Sequence, residues 1–120
     1  MATGTIAKPY EIHTFNYGKS DFSATSAWKY TGLTVTIPAN CAFVIQGTGW
    51  YNGSRPEALA ICTSSTSINA QVSNGANNGA SATVTYAGYI ASQSTTYYLW
   101  AKYGSDATNS VNISGWYIHI

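Results

Sequence analysis

Hydrophobic and polar residues alternate with a period of two along most of the chain, and this pattern predicts β-strands. Apolar residues do not recur at three-and-four spacing over any window of helix length, so we predict no helix. Clusters of Gly, Asn, Ser and Pro interrupt the alternation roughly every ten residues. The sequence therefore predicts one all-β domain of about eight antiparallel strands, packed as two sheets.

The clearest strand is TTYYLWAKY, at Thr95–Tyr103, in which almost every residue is aromatic, aliphatic or β-branched. Its faces carry Tyr97, Leu99, Ala101 and Tyr103 on one side and Thr96, Tyr98, Trp100 and Lys102 on the other. A strand with large aromatic side chains on both faces is covered on both sides. We expect one face to meet the core and the other to meet a second copy of the chain.

The other strands are predicted from the same alternation. They are Tyr10–Tyr17, Leu33–Ile37, Cys41–Tyr51, Glu57–Thr63, Ile68–Ser73, Ala80–Ala91 and Ser110–Ile120, which place the domain at residues 10–120. Residues 1–9 read as a tail or stalk junction, Gly18–Gly32 as an irregular connection and Asn74–Gly79 as a loop. Gly47 and Gly49 predict a bulge or the close approach of another backbone.

Alternate loops lie at the same end of a domain in which each strand runs opposite to the one before it. The loops Asn52–Pro56, Asn74–Gly79 and Gly104–Asn109 then share one end. Aromatic rings beside amides and a charge pair are typical of a carbohydrate or protein-surface site. The candidate ligand-binding residues are Trp50, Tyr51, Asn52, Arg55, Asn74, Asn77, Asn78, Tyr103, Asp106 and Asn109.

The composition limits the classes of partner. Charged residues make up 8% of the chain, against about 25% in ordinary soluble domains, so hydroxyls, amides and tyrosines must cover the surface. The five Lys and Arg are scattered and the net charge is +1, which argues against nucleic-acid binding. No apolar run approaches the ~20 residues of a membrane helix, so we expect no membrane insertion.

The start of the chain, MATGTIAKPY, lacks the charged and apolar regions of a signal peptide. We therefore expect synthesis in the cytosol, with export only as part of an assembly. Cys41 and Cys62 lie within apolar runs. A disulfide between them is conceivable, but buried free thiols fit these runs better.

Residues able to carry chemistry are few. Glu57 and Asp106 are the only carboxylates that the loop arrangement would bring together, as a glycosidase requires. His13, His119 and Glu11 are read as strand residues near a subunit contact, with hydrogen-bonded histidines, and not as metal ligands. No nucleophile elbow or phosphate-binding glycine loop is present. We predict no enzymatic activity and no cofactor.

Two segments carry a resemblance to a known family: LTVTIPANCAFVIQGTGWYN and TTYYLWAKYGSDATNSVNISGWYIHI. The chain resembles the trimeric jelly-roll head domains of the TNF/C1q type, as found at the tips of bacteriophage tail fibres and of some bacterial collagen-like filaments. The resemblance implies a homotrimer with the aromatic faces of the late strands inside, a stalk at the N-terminus and a distal surface that touches the host. Calcium binding is not carried over, because no acidic cluster is present.

These observations lead to an expected function. The interface candidates are Tyr98, Trp100, Trp116 and Ile118. The resemblance implies a homotrimeric receptor-binding head, on the virion at a tail-fibre tip or on a bacterial surface filament, that attaches to a host-surface glycan or protein. The alternative is a structural trimerisation cap with no ligand, and a polysaccharide-cleaving enzyme ranks last.

Overall fold

The computed structural model of the chain describes residues 10–90 and 92–120, and it is all-β. The strands are β1 (Ile12–Ala24), β2 (Lys29–Ile37), β3 (Cys41–Trp50), β4 (Pro56–Cys62), β5 (Gln71–Asn78), β6 (Ser81–Ile90), β7 (Thr95–Tyr103) and β8 (Ala107–His119). One turn of 3₁₀ helix at Ile68–Ala70 precedes β5. The prediction of about eight strands is confirmed, while the predicted tail at residues 1–9 lies outside the described residues.

The strands form two four-stranded halves, β1-β8-β3-β6 and β5-β4-β7-β2, in which all pairings are antiparallel. A short pairing of β5 with β6, at Asn77–Ala82 and Asn78–Ser81, joins the halves into one nearly closed sheet. This is the strand order of a jelly roll, which packs two sheets over one core. The predicted jelly-roll sandwich therefore agrees with the structure, and the trimeric state stays a prediction.

The core lies between the two halves and follows the predicted alternation. In β7 the inward residues are Tyr97, Leu99, Ala101 and Tyr103, and all four are buried. The Tyr97 ring packs 5.5 Å from the ring of Phe43 in the facing half. Such a core of aromatic and aliphatic side chains is the main stabilising contribution to a domain of this size.

The first two strands are longer than the sequence predicted. β1 continues past Tyr17 to Ala24, and β2 begins at Lys29 and not at Leu33. The proposed irregular connection over Gly18–Gly32 is therefore wrong. The prediction failed because the pairing of β1 with β8 shifts between Lys19 and Phe22. An irregularity of this kind interrupts the alternation of apolar and polar residues with a period of two.

The fifth strand was also misplaced. The segment Asn74–Gly79 was predicted as a loop, but β5 extends from Gln71 to Asn78. A Cβ at Gly75 would collide with the carbonyl oxygen of Thr83 in β6. The close approach of the two backbones thus takes the place of side-chain packing, and a strand forms without large apolar residues.

Gly47 and Gly49 have a different role from the one predicted. β3 pairs with β6 and β8 without any shift in register, so it contains no bulge. A Cβ at Gly47 would lie 2.5 Å from Leu99 Cδ1, and one at Gly49 would lie 2.7 Å from the Tyr103 hydroxyl. These glycines leave room for side chains of β7 from the opposite half.

Candidate functional site

Parts of the three loops predicted to share one end of the domain lie together there. The Tyr51 N–H donates a hydrogen bond of 2.7 Å to the Ala80 carbonyl, and the Gly104 N–H donates one of 2.8 Å to the Arg55 carbonyl. These bonds tie together residues 51–55, 79–80 and 104–106, which we call the loop end. The connection between β1 and β2 joins them, since the Tyr103 N–H donates to the Thr25 carbonyl at 3.0 Å.

Asn109 holds the loop end together and does not face solvent. Its Oδ1 accepts hydrogen bonds from the backbone N–H groups of Asn52, Gly53 and Ser54 at 3.0, 3.0 and 3.1 Å. Its Nδ2 donates to Ser54 Oγ at 3.0 Å and to the Ala107 carbonyl at 3.3 Å. Because the side chain is 0% exposed, the proposed ligand contact at Asn109 is wrong and its role is structural.

Tyr103 is likewise a core residue and not a ligand-binding one. It is 0% exposed, and its hydroxyl donates to the Ser110 carbonyl at 3.1 Å. Burial raises the pKa of this phenol to about 12, while a hydrogen bond to the Trp50 backbone acts in the opposite direction. Tyr103 therefore fixes the start of the connection between β7 and β8 from within the core.

Two of the candidate asparagines are also unavailable at the loop end. Asn77 Nδ2 donates to the carbonyls of Pro56 and Gly79 at 2.6 and 2.8 Å, so its donors are used within the chain. Asn74 pairs with Ala60 in the middle of β5 and donates to Gln71 Oε1. It lies four residues before the end of the strand, about 13 Å from the loop end, so its predicted membership of this site is wrong.

The remaining six candidates are exposed together at the loop end. They are Trp50, Tyr51, Asn52, Arg55, Asn78 and Asp106. The Tyr51 side chain is 55% exposed, and the Arg55 guanidinium lies 5.8 Å from the centre of its ring. Arg55 Nη1 also donates to the Gly79 carbonyl at 3.5 Å, so a cation–π contact and a hydrogen bond hold this side chain.

The loop end exposes an aromatic ring, two amides and one charge of each sign. Tyr51 supplies a flat ring face beside Arg55, and Asn52 and Asn78 supply amide donors and acceptors. An aromatic face surrounded by hydrogen-bonding groups suits the apolar face and the hydroxyls of a sugar ring. The carboxylate of Asp106 adds an acceptor for such hydroxyls.

A second surface lies on the outward side of the β1-β8-β3-β6 half, and we call it the outer face. The strand registers place two neighbouring rows of side chains across it near the end opposite the loop end. One row is Ile12, Ile118, Ala42 and Tyr89, and the next is Thr14, Trp116, Val44 and Ala87. Ile12, Tyr89 and Trp116 are 62%, 57% and 38% exposed.

The other residues that the strand registers place on the outer face carry no charge. Beyond the apolar rows, the registers place there Asn16, Gly18, Gln46, Thr48, Trp50, Ser81, Thr83, Thr85, Ser110, Asn112 and Ser114. The side chains of Asn112 and Asn16 bond to each other at 2.6 Å, from Nδ2 to Oδ1. A neutral sheet face with an exposed apolar stripe is typical of a contact surface and not of a solvated one.

The candidate interface residues divide between the two halves. Trp116 and Ile118 lie on the outer face, whereas Tyr98 and Trp100 lie on the outward side of β7. Trp100 is only 7% exposed, because it packs with Ala60 and Cys62 and is flanked by Ile68.

A hydrogen bond to a loop of the same chain holds Trp100 in this position. The Trp100 indole N–H donates to the Ser64 carbonyl at 2.9 Å. Trp28, Tyr30 and Tyr98 border the same cluster, with the rings of Tyr30 and Tyr98 5.6 Å apart. The expectation that the second face of β7 needs another chain is therefore wrong for Trp100.

The described residues contain no group of three or more His, Cys, Asp or Glu side chains close enough to hold a metal ion. His13 stacks on Tyr117 at 5.0 Å. The buried Nδ1 of His119 has no hydrogen-bond partner among the described residues, so the predicted hydrogen bond is absent at that atom.

Both cysteines are free and buried. Burial raises the pKa of the Cys41 thiol, and it raises that of Cys62 to about 11. These thiols are protonated at neutral pH and are poor nucleophiles.

The part of the chain that the structure describes has no helix with the length and hydropathy of a membrane span.

Neither a family model nor a curated protein matches this sequence. Among solved structures, the chain is similar to the pre-peptidase C-terminal domain of a Bacillus anthracis collagenase, with 11% identity and a TM-score of 0.48, over 92% of this chain and 99% of that one. A chain of the cyanophage Pam1 capsid gives 14% identity and a TM-score of 0.48, over 100% and 93% of the two chains. A chain of the baseplate tripod of bacteriophage Tuc2009 gives 18% identity and a TM-score of 0.45, over 99% and 69%. At these values the similarities determine neither a family nor a function.

Proposed function

We propose that this chain is the self-associating head domain of a filament, a homotrimer that attaches through its loop end to a glycan or protein on a host surface. The observation that carries the proposal is the outer face, where the residues placed by the strand registers combine an exposed apolar stripe with neutral polar side chains. A phage tail fibre or a bacterial surface filament is the setting that the sequence resemblance implies.

The size of the outer face supports self-association. Four strands about 4.8 Å apart and ten residues long, at about 3.3 Å per residue, cover roughly 600 Å² in projection. A standard protein interface buries about 800 Å² per partner. In a trimer each chain contacts two neighbours, so this face would supply part of each contact. Its neutrality avoids like-charge repulsion where identical surfaces meet. The number of chains, three, rests on the resemblance alone.

The loop end supports the attachment role. Asn109 fixes residues 52–54 in one conformation through three backbone hydrogen bonds, so the exposed Tyr51 and Arg55 beside them are held before any ligand arrives. Preorganisation of this kind lowers the entropy lost on binding. The same bonds are equally compatible with the alternative function, a structural cap that binds nothing. A binding experiment separates the attachment role from the cap.

The test is a glycan array and a cell-binding assay with the purified assembly. The variant Tyr51→Ala/Arg55→Ala removes the exposed ring and cation, and Asn74→Ala is the matched control away from the loop end. We expect binding by the native chain and by the control, and a loss of about 100-fold in the double variant, as two contacts of about 1.4 kcal/mol each require. An intact assembly that binds no glycan and no cell would favour the structural cap.

A further inference from the structure

Three asparagines of this chain are followed directly by glycine, in the pairs Asn52–Gly53, Asn74–Gly75 and Asn78–Gly79. Asparagine is chemically least stable in this dipeptide, because the glycine nitrogen can attack the carbon of the side-chain amide. Glycine has no Cβ to hinder that approach, and it leaves the backbone free to rotate. The fold places the three pairs in different surroundings, so the structure predicts different reactivity for each.

The first pair is held in place by the buried amide of Asn109. The Gly53 N–H donates a hydrogen bond of 3.0 Å to Asn109 Oδ1. A Cβ at Gly53 would lie 2.8 Å from the Cβ of Ala107 and 2.9 Å from the Thr108 carbonyl oxygen, so the backbone is closely packed here. Attack by the Gly53 nitrogen therefore requires this segment to open first.

The second pair lies within the ladder of β5. Gly75 is paired with Leu59 of β4, and a Cβ at Gly75 would collide with the carbonyl oxygen of Thr83. The side-chain amide of Asn74 donates to Gln71 Oε1 at 3.0 Å. The strand pairing keeps this segment extended, so attack by the Gly75 nitrogen also requires local opening.

The third pair lies at the end of a hairpin. Asn78 is the last residue of β5, and Gly79 begins the two-residue connection to Ser81 of β6. Asn78 and Gly79 are both exposed, and a Cβ at Gly79 would meet no described atom within 4 Å. The bonds from Arg55 and Asn77 to this connection end at the Gly79 carbonyl oxygen and do not involve its nitrogen.

We propose that Asn78 is a site of spontaneous deamidation, at which the folded chain converts an amide into a carboxylate with water as the only other reactant. The Gly79 nitrogen forms a bond to Asn78 Cγ, and the side-chain nitrogen takes the displaced proton and leaves as ammonia. The product is a succinimide ring, which water opens. Cleavage between the Gly79 nitrogen and Cγ gives aspartate, and cleavage between that nitrogen and the backbone carbonyl carbon gives isoaspartate.

The isoaspartate product changes the place where the two halves of the sandwich meet. In the part of the chain that the structure describes, β5 and β6 pair only at Asn77–Ala82 and Asn78–Ser81. Isoaspartate adds one atom to the backbone directly after Asn78, at the second of these pairs. Because a sheet register depends on the spacing of the backbone, this product should weaken the junction, whereas the aspartate product should keep it.

The new carboxylate also changes the charge of the loop end. Arg55 Nη1 lies 3.5 Å from the carbonyl oxygen of Gly79, the residue after Asn78, and the guanidinium lies 5.8 Å from the centre of the Tyr51 ring. A carboxylate competes with the ring for this cation, because a charge-assisted hydrogen bond is stronger than an exposed cation–π contact. One consequence rests on the proposed function: attachment through Tyr51 and Arg55 should weaken as the protein ages.

Peptide mapping by mass spectrometry, with fragmentation that separates Asn74 from Asn78, tests the deamidation. The native assembly is incubated at neutral pH, and conversion is followed at all three pairs. We expect Asn78 to convert at least about 10-fold faster than Asn52 or Asn74, since each of those segments must first break hydrogen bonds and contacts. In denaturant the three sites should convert at similar rates. Equal rates in the folded chain, or an intact Asn78 after an incubation that converts the denatured chain, would overturn the proposal.

Two variants at the same position give an independent measurement. Asn78→Gln keeps an exposed amide but moves it one carbon farther from the Gly79 nitrogen, where ring closure is slow. This variant should not accumulate the acidic form that the native chain gains during incubation, as measured by ion-exchange chromatography. Continued accumulation in Asn78→Gln at the native rate would overturn the assignment.

The effect on attachment has its own readout. In the glycan-array and cell-binding assays, Asn78→Asp and the incubated native chain should bind about 3-fold more weakly than Asn78→Gln, as the loss of an exposed cation–π contact implies. Equal binding by all three would contradict the effect on attachment. A lack of binding by all three would contradict the proposed function, and the peptide map would still decide whether Asn78 deamidates.

Discussion

Replacement of Asn109 by Ala tests whether one buried amide organises the loop end. The substitution leaves the N–H groups of Asn52, Gly53 and Ser54 without their common acceptor, and it removes two further bonds donated by Nδ2. With about 1 kcal/mol for each of the three backbone bonds, and with partial replacement of the other two by water, we expect a loss of about 3–4 kcal/mol. For a domain of this size the melting temperature would fall by about 10–20 °C.

Urea denaturation followed by tryptophan fluorescence measures this loss, and two variants control for it. Asn52→Ala alters the same loop at an exposed side chain and is expected to change stability by less than about 0.5 kcal/mol. Asn109→Asp keeps an acceptor for the three N–H groups, so it should lose less stability than Asn109→Ala. A loss below about 1 kcal/mol in Asn109→Ala would refute the assigned role.

Three further predictions concern buried side chains. Burial raises the pKa of Tyr97 and of Tyr103 to about 12 from 10.0, so the unfolded chain loses these protons first and stability falls between about pH 10 and 12. Denaturation at stepped pH measures how steeply the free energy of unfolding falls with pH. Tyr97→Phe should make this dependence shallower, and an unchanged dependence would count against the assignment. Trp100→Phe removes the 2.9 Å bond to the Ser64 carbonyl and should cost about 1 kcal/mol without altering the mass of the assembly, whereas a lower mass would return Trp100 to the interface. The Cys62 thiol, with its pKa raised to about 11, should react with a thiol reagent about 100-fold more slowly in the folded chain than in denaturant, and rapid labelling of the folded chain would contradict its burial.

Alternation in the sequence was sufficient to predict the strands that contact the core through large side chains. β7 has the predicted bounds, and its two faces are those read from the residues. The grouping of the loops followed from antiparallel order alone, and it is also observed. In both cases a local pattern determines the result, because burial of one face requires strict alternation.

The errors occur where backbone geometry replaces side-chain pattern. β1 crosses an irregularity after Lys19 that shifts the phase of its alternation, and β5 contacts Thr83 through a glycine that has no side chain to reveal burial. Asn109 looked like an exposed loop amide, but three N–H groups from a distant segment surround it. Contacts between residues so far apart in sequence leave no local signal.

The mass of the native assembly is the most direct test of the central claim, which is that identical chains associate through the outer face. Light scattering or native mass spectrometry at about 10 μM, a concentration at which a stable assembly persists, should give three times the chain mass of 12.8 kDa. Trp116→Lys/Ile118→Lys, which places charges in the apolar rows, should give folded single chains, and Thr63→Lys, at an exposed site outside the outer face, should leave the mass unchanged. A folded native chain with the mass of one copy at this concentration would contradict the account.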